Sequence, residues 1–510
     1  DITVRHELLL GIDIGTQGTR VALVDPAGKV LASHSNDYEM VTPCPGWAEE
    51  DPDDWWQAAV SGIQQVIKAS GAGPEEIAAI GSDAQMHATV PVGPSGDLLS
   101  HGVQLWCDKR SAKLVDEYES KPFASRAAKL AGSPPVAAWI GFKIKWLKNN
   151  RPETYTKTWK FLTGSGYINY RLTGEVSIDW SEASGTYLLD AETLAWSKEL
   201  AGYLEIDLEK LPPVSPSASV IGRVNRQAAS LTGLPEGTPV VAGAGDMMAM
   251  LVAAGLAEQG RALDISGTAS DMVVYVDKPV LDPPMMNLHH VLPGWIPFGI
   301  AEAGGGSLEW FKDALCQAEV TQATAERRNV YTILDEKAAS VEPGCEGLLY
   351  LPYLMGERVL GSPHSRGVFL GLTPRSGIGA MTRAIMEGVT FELRRTIEIV
   401  ESAGNRINTV FTSGGGARSN LWSQIKADIY RKPVLTLAES EGGVIGSAIL
   451  AGVGVGVFPD IQSGARPFVK VNRVFEPDPS NQARYEYLYI LFKELHDVLQ
   501  PGFEKLSLSP

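Results

Sequence analysis

The sequence offers no surplus of positive charge, no paired cysteines and no uninterrupted apolar run long enough for a bilayer. Its 44 Lys and Arg stand against 60 Asp and Glu, a formal net charge of −16, and no Lys/Arg cluster interrupts that acidity. A nucleic-acid partner is therefore not expected, because phosphate contacts need a basic face. Four cysteines, at 44, 107, 316 and 345, show no CxxC spacing. Neither a disulfide framework nor a zinc site is indicated, and a reducing compartment fits. The opening "DITVRHELLL" lacks the basic-then-apolar order of a secretory signal. The most apolar segment, "VVAGAGDMMAMLVAAGLA" (240–257), carries Asp246 near its middle and three glycines. It reads as a strand, a tight turn and a helix rather than a membrane span. Neither GxGxxG nor a P-loop pattern fits the glycine-rich opening. The expectation is a cytoplasmic protein with no membrane or nucleic-acid partner.

What is present is ordinary globular material, 44% apolar and 20% charged over 510 residues, enough for about two to four domains. "GIDIGTQGTR" (11–20) places Asp13 between two isoleucines and then turns the chain through Gly15-Thr16-Gln17-Gly18. The apolar runs on either side predict a hairpin, and "KVLASHS" a third strand. "DPDDWWQAAVSGIQQVIKASG" has acids and Pro at its start, apolar residues at helical spacing and a closing Gly, which predicts a helix. With the strand-like "IAAIGSDAQ" the order becomes βββαβ. At a constant offset of 252 residues, "ALDISGTASDMVVYVD" (262–277) overlays "LGIDIGTQGTRVALVD" (10–25), with Gly15 on Gly267, Thr16 on Thr268 and Asp25 on Asp277. That match predicts duplication of one α/β unit, divided into residues 1–245 and 246–510. "NTVFTSGGGARSNLWSQIKADIYRKPV" predicts a strand at 409–412, a glycine turn at 414–416 and a helix at 419–430. "NQARYEYLYILFKELHDVL" (481–499) reads as an amphipathic closing helix.

A charge at the tip of a buried strand costs several kcal/mol unless something offsets it. Two Gly-Thr hairpins facing one cleft could hold a triphosphate through backbone N–H and Thr hydroxyl donors. Asp13 would then face Mg²⁺. The glycine run opening a helix near 420 suits a nucleotide.

Eight segments extend the pattern: "GIDIGTQGTR", "AQMHATV" (84–90), "LWCDKR" (105–110), "VVAGAGDMMA" (240–249), "DISGTASD" (264–271), "LPYLMGER" (351–358), "GVFLGL" (367–372) and "SGGGARSN" (413–420). In this order they resemble the carbohydrate kinases of the FGGY family, across nearly the whole chain. The resemblance implies an α/β fold of two duplicated actin-like (ribonuclease H-like) ATPase domains with a central cleft. It implies transfer of the ATP γ-phosphoryl group, with Mg²⁺, to a hydroxyl of a small sugar or polyol. By motif it assigns the general base to Asp246 and the metal-directed carboxylate to Asp13. The phosphate turns fall on Gly15, Thr16 and Gln17 and on Gly267 and Thr268. The adenosine site falls on Gly305, Gly415, Gly416 and Asn420. Met86 and His87 match the "QMH" of xylulokinase-like members, and Asp108 and Arg110 match "W-x-D-x-R" at the sugar pocket.

Departures concern the sugar. Met247 stands where xylulokinases usually carry Asn, the loop "GERVLGSPHSRG" has Leu360 where Pro is usual, "SEASGT" (181–186) replaces a "SDAAGT"-like run, and Ala380 replaces a polar residue. A ketopentose such as D-xylulose is the expected substrate, with glycerol, ribulose, gluconate or erythritol as alternatives. A non-catalytic sugar- or ATP-binding protein on this fold would be expected to lose Asp13 or Asp246. A filament-type or chaperone-type ATPase would have no use for "QMH" and "W-x-D-x-R". The residues leave open whether the chain forms a homodimer.

Overall fold

The computed structural model describes residues 7–357, 361–438 and 441–508. The altered loop position Leu360 lies outside them. The chain forms two compact units, one of Asp1–Glu258, Asp277–Ile296 and Ser440–Val469, the other of Gln259–Val276, Pro297–Glu439 and Lys470–Pro510.

In the first unit, β1 (Leu8–Ile14) turns through Gly15–Gln17 into β2 (Gly18–Val24), and β3 (Val30–Asp37) follows. Leu9, Leu10, Ile12 and Ile14 of β1 are fully buried, as an apolar run covered on both faces requires. Helix α1 (Pro52–Ser70) starts where the Asp51 carboxylate accepts from Asp53 N and stops at Gly71, in the left-handed region at φ 71°. Its buried stripe of Trp55, Ala59, Ile63 and Val66 repeats every three or four residues, the helical period. β4 (Ile77–Ala84), β5 (Val220–Arg223), β6 (Pro239–Val241) and β7 (Ala244–Gly245) then complete the sheet, and helix α2 (Asp246–Ala253) follows directly. The order is β5-β6-β4-β1-β2-β3, with β7 beside β4. β1 is antiparallel to β2 and parallel to β4.

The second unit repeats the arrangement with β8 (Arg261–Ser266), β9 (Ser270–Val274), β10 (Trp295–Ala301), helix α3 (Ile378–Ser402), β11 (Thr409–Ser413), helix α4 (Asn420–Tyr430), β12 (Val434–Leu437) and β13 (Val471–Phe475). The order β10-β9-β8-β11-β12-β13 matches the first sheet strand for strand from β3 to β6. The pairing senses match too: β8 is antiparallel to β9 and parallel to β11. The expected duplication is therefore visible in topology.

A single cut between 245 and 246 does not separate the units, because the chain comes back. Helix α5 (Gly443–Gly454) is buried from Gly443 through Gly452 and packs on β1, β4 and α2 of the first unit. Gly11 and Gly81 face each other across β1 and β4. A Cβ at either would strike the carbonyl of Val444 or Ser447, so the helix backbone rests directly on the sheet. The closing helix α6 (Gln482–Ser507) runs past the expected end, through Pro501. Proline removes one N–H from the ladder, and the carbonyl it frees belongs to the exposed residue Asp497, where water can take it. No helix among the described residues is long and apolar enough to cross a membrane; Asp246 opens α2 within the most apolar segment.

Candidate active site

The register of β1 on β4 sets Asp13 opposite Asp83. Ala244 of β7 pairs with Asp83, and the next turn of chain delivers Asp246 to the first position of α2. Three carboxylates thus share one corner. The charges of Asp13 and Asp246 bear on Asp83, and that of Asp13 bears on Asp246. Burial, then the Asp13 charge, pushes the Asp246 carboxyl up to about 7 against hydrogen bonds from the Met247 and Met86 amides. The Met247 N–H reaches Asp246 Oδ1 at 2.7 Å. Burial also raises Asp13, despite a hydrogen bond with Asp83 and the charge of Arg20 across the hairpin, and raises Asp83 further. Ser447 of α5 donates to Asp83 Oδ2, and nothing donates to the buried Asp83 Oδ1. A Cβ on Gly443 would stand 2.6 Å from Asp83 Oδ1 and 3.2 Å from Asp13 Oδ2. Converging carboxylate oxygens, one without a donor, fit a divalent cation.

His87 follows β4 in the left-handed region, at φ 70°, a conformation that costs a residue other than Gly about 1–3 kcal/mol. Both ends of it are held. Its N–H donates to Glu182 Oε2 at 3.3 Å, and its carbonyl accepts from Lys143 Nζ at 2.7 Å. The imidazole packs edge-on against Trp139, ring centroids 5.0 Å apart, and over the bare Cα of Gly185. Burial, and then the Lys143 charge, push it down to about 3 against a backbone hydrogen bond at Gly185, so it is neutral. Lys143 also donates to the Leu105 carbonyl at 2.6 Å, which ties the "QMH" segment to "LWCDKR". In that second segment Asp108 and Arg110 are turned inward. Arg110 bonds Asp108 and Glu49 Oε1, each at 2.6 Å, and lies 3.6 Å from the Trp47 ring centroid. Asp108 Oδ2 also accepts from Ala48 N.

In the first turn, Gly15 N bonds Gly18 O at 2.9 Å, and Tyr38 donates to Gly15 O at 2.7 Å. Thr16 Oγ1 donates to Gln85 Oε1 and accepts from Trp106 Nε1, so its hydroxyl is engaged. Gln17 is exposed. Gln85 Nε2 in turn donates to Glu50 Oε2, whose carboxyl burial pushes up to about 7.

Within the second unit the glycine turns converge on Ser266–Thr268. Gly305 N donates to Gly267 O, and Gly306 N to Thr268 O, each at 2.9 Å. A Cβ on Gly416 would lie 2.6 Å from Ser266 Cβ. Gly267, Thr268, Gly415 and Asn420 are exposed, and Asn420 opens α4 behind the cap Ser419. The helix starts after a short turn, Gly415–Arg418, and the backbone N–H groups of a helix N-terminus suit an anion. Ile265 overlays Asp13 here. One acid of this hairpin, Asp264, sits one residue earlier and points to the other face, where Lys426 Nζ pairs with it at 2.8 Å and Tyr430 OH donates to it at 2.7 Å; the other, Asp271, lies opposite Ile265, and burial pushes its carboxyl up to about 6.

The sequence reading missed Asp83, Lys143, Glu182, Gly443 and Ser447. Asp83 carried a signal: "GID" and "GSD" are the same Gly-x-Asp on neighbouring strands. Lys143 stands out only as a charge on the buried side of a helix. A surface group, Asp51, Asp53 and His101, also has ligand-like spacing, but its acids already cap α1 and bind Tyr167 and Arg171.

Comparison with known proteins agrees with this architecture. Residues 8–253 match the N-terminal domain, and residues 265–455 the C-terminal domain, of the FGGY family of carbohydrate kinases. A xylulose kinase of Staphylococcus epidermidis is 32% identical over 498 residues, 96% of either chain. The crystal structure of a xylulose kinase from Rhodospirillum rubrum matches with TM-score 0.90 at 30% identity, covering 98% of this chain and 100% of that one. A gluconate kinase structure from Lactobacillus acidophilus matches with TM-score 0.89 at 26% identity, covering 98% and 99%. Both domain models matched in order, on two sheets of like topology, mean that the chain belongs to the FGGY family of carbohydrate kinases, ATP-dependent enzymes that phosphorylate a carbohydrate.

Proposed function

We propose that this kinase phosphorylates a hydroxyl of a ketopentose such as D-xylulose, with Asp246 as general base. Asp246 carries the reading. It stands at the first turn of a helix, half-buried, with its carboxyl pushed up to about 7. A base of that strength is matched to neutral pH. The substrate oxygen bonds the γ-phosphorus as the bond to the β–γ bridging oxygen breaks, and the hydroxyl proton passes to an Asp246 carboxylate oxygen. The rest is positioning and charge neutralisation. In this reading Met86, His87 and Met247 meet the sugar, while Asp108 and Arg110 brace the segment beside it. Gly15, Thr16, Gln17, Gly267 and Thr268 serve the phosphates. Gly305, Gly415, Gly416 and Asn420 serve the adenosine. Mg²⁺, when bound, offsets phosphate charge, and Asp13 faces it.

The named relatives and the "QMH" segment support a ketopentose. Met247 supports a second reading, a polyol, another ketose or an aldonate, because its thioether is at best a weak acceptor. ADP release measured across ketopentoses, polyols, aldonates and glycerol decides between them. D-Xylulose should give the highest kcat/KM, and Asp246→Ala should abolish turnover on every substrate. A higher value for an aldonate or polyol transfers the assignment to that class, and no turnover with any of them overturns the reading.

A further inference from the structure

The corner around Asp13 contains one acid more than the transfer reaction requires. Gly11-Ile12-Asp13 and Gly81-Ser82-Asp83 lie side by side on parallel strands, residue for residue in register. Side chains two apart share a face of the sheet, so both glycines and both acids look toward α5. The glycines let the helix settle onto the sheet, and the acids then meet its N-terminal end at Gly443. Asp83 is fully buried. Ser447 supplies a donor to Oδ2, while Oδ1 has none and lies at the bare Cα of Gly443 together with Asp13 Oδ2.

Two carboxylates this close cannot both ionise without a counter-charge. Either they share a proton or a cation joins them. A shared proton would satisfy Asp83 but would take away the negative charge that makes Asp13 useful. The second hairpin shows how this fold silences an acid it does not use, by placing Lys426 and Tyr430 on Asp264. Among the described residues the Asp13–Asp83 pair has no lysine; Arg20 bears on Asp13 from across the hairpin, and without an ion the two carboxyls bond only each other there, which favours the charge on Asp13 and the proton on Asp83.

We propose that Asp83 is a second carboxylate of the divalent-cation site, and that Asp13 and Asp83 together hold the cation before nucleotide arrives. This rests on the reading of Asp13 as the carboxylate that faces Mg²⁺. Two acids match the charge of a divalent ion, and oxygen ligands suit Mg²⁺ or Mn²⁺. A single acid would bind the ion mainly as the nucleotide complex.

Mn²⁺ titration of the nucleotide-free full-length chain, followed by electron paramagnetic resonance, tests it. The wild type should take up one Mn²⁺, displaced by Mg²⁺. Asp83→Asn, which keeps the shape and can still accept from Ser447, should weaken uptake by at least about tenfold. Ser447→Ala, which keeps both acids, should retain the ion. If Asp83→Asn does not fold, Asp83→Ser takes its place in the same titration. The proposal is overturned if the wild type takes up no Mn²⁺ without nucleotide, if both Asp83 variants bind like the wild type, or if Ser447→Ala loses the ion as fully as they do. Failure of the kinase reading would look different: Mn²⁺ bound, and no ADP released with any sugar.

Discussion

Lys143 grips the backbone of His87 from a position with no solvent exposure, its ammonium 2.7 Å from the His87 carbonyl oxygen. With Glu182 on the N–H of the same residue, a left-handed histidine is fixed at both peptide bonds. The "QMH" segment is therefore held by two groups outside it.

Replacing that ammonium by Lys143→Met removes the Lys143 bond from two carbonyls, leaving His87 O with Thr89 Oγ1 at 3.4 Å and Leu105 O with the Asp108 amide at 3.1 Å. Each lost bond should cost about 0.5–1.5 kcal/mol, and KM for the sugar should rise more than KM for ATP. Burial pushes Lys143 down to about 7. Between that pH and about 10, the unfolded chain binds a proton there that the folded chain does not. Stability from this group therefore rises with pH across that window, and the rise should vanish in Lys143→Met. Thermal melts of both proteins from neutral to alkaline pH provide the comparison; equal slopes would refute it.

Asp246→Asn should keep ATP binding and lower kcat by at least about 10²-fold. In the wild type, log kcat/KM should climb with pH and level off above about 7, where the Asp246 carboxyl has lost its proton. A variant with more than a tenth of the wild-type rate would remove Asp246 from the proton transfer.

Asp13→Asn should separate stability from activity. In the metal-free chain the Asp13 charge is unfavourable, because burial disfavours it more than the hydrogen bond from Asp83 and the Arg20 charge favour it. Neutralising it should raise Tm while the Mg²⁺ requirement increases and turnover collapses, the usual trade at a functional site. A drop in Tm with activity per folded molecule intact would mark Asp13 as a structural residue.

Met247→Asn should restore an amide next to Asp246. If Met247 meets the sugar, kcat/KM for D-xylulose relative to a deoxy analogue should improve by about 1–3 kcal/mol, the worth of a polar partner gained. An unchanged ratio would assign specificity to the segments of His87 and Asp108.

Much of this was legible along the chain. The hairpin from 8 to 24, α1, the strand before "GGG" and α4 all carry local signals, in apolar period, caps and glycine turns, and they form where those signals stand. The duplication was legible because a turn repeats at fixed spacing. Ser447 on Asp83 was not, since 364 residues separate the partners and no local pattern encodes that meeting. The return of α5 to the first unit escaped for the same reason. Its composition says buried helix and cannot say on which sheet. Glu182 reads as an ordinary surface residue, and Lys143 only as a misplaced charge, until their partners, backbone groups of His87, come into place.

The late arrival of α5 bears on how the protein is made. A ribosome delivers the chain from its first residue, and domains tend to fold as they emerge. Here the first sheet must wait for a helix that begins at Gly443, when most of the polypeptide is already out. Until then the face of β1 and β4 around Gly11 and Gly81 has no cover, a hazard for sticky nascent chains, and the contacts that finish it are long in sequence and slow to close. A fragment ending at Glu258 should therefore be poorly soluble alone, and adding a peptide of residues 441–469 in trans should rescue it.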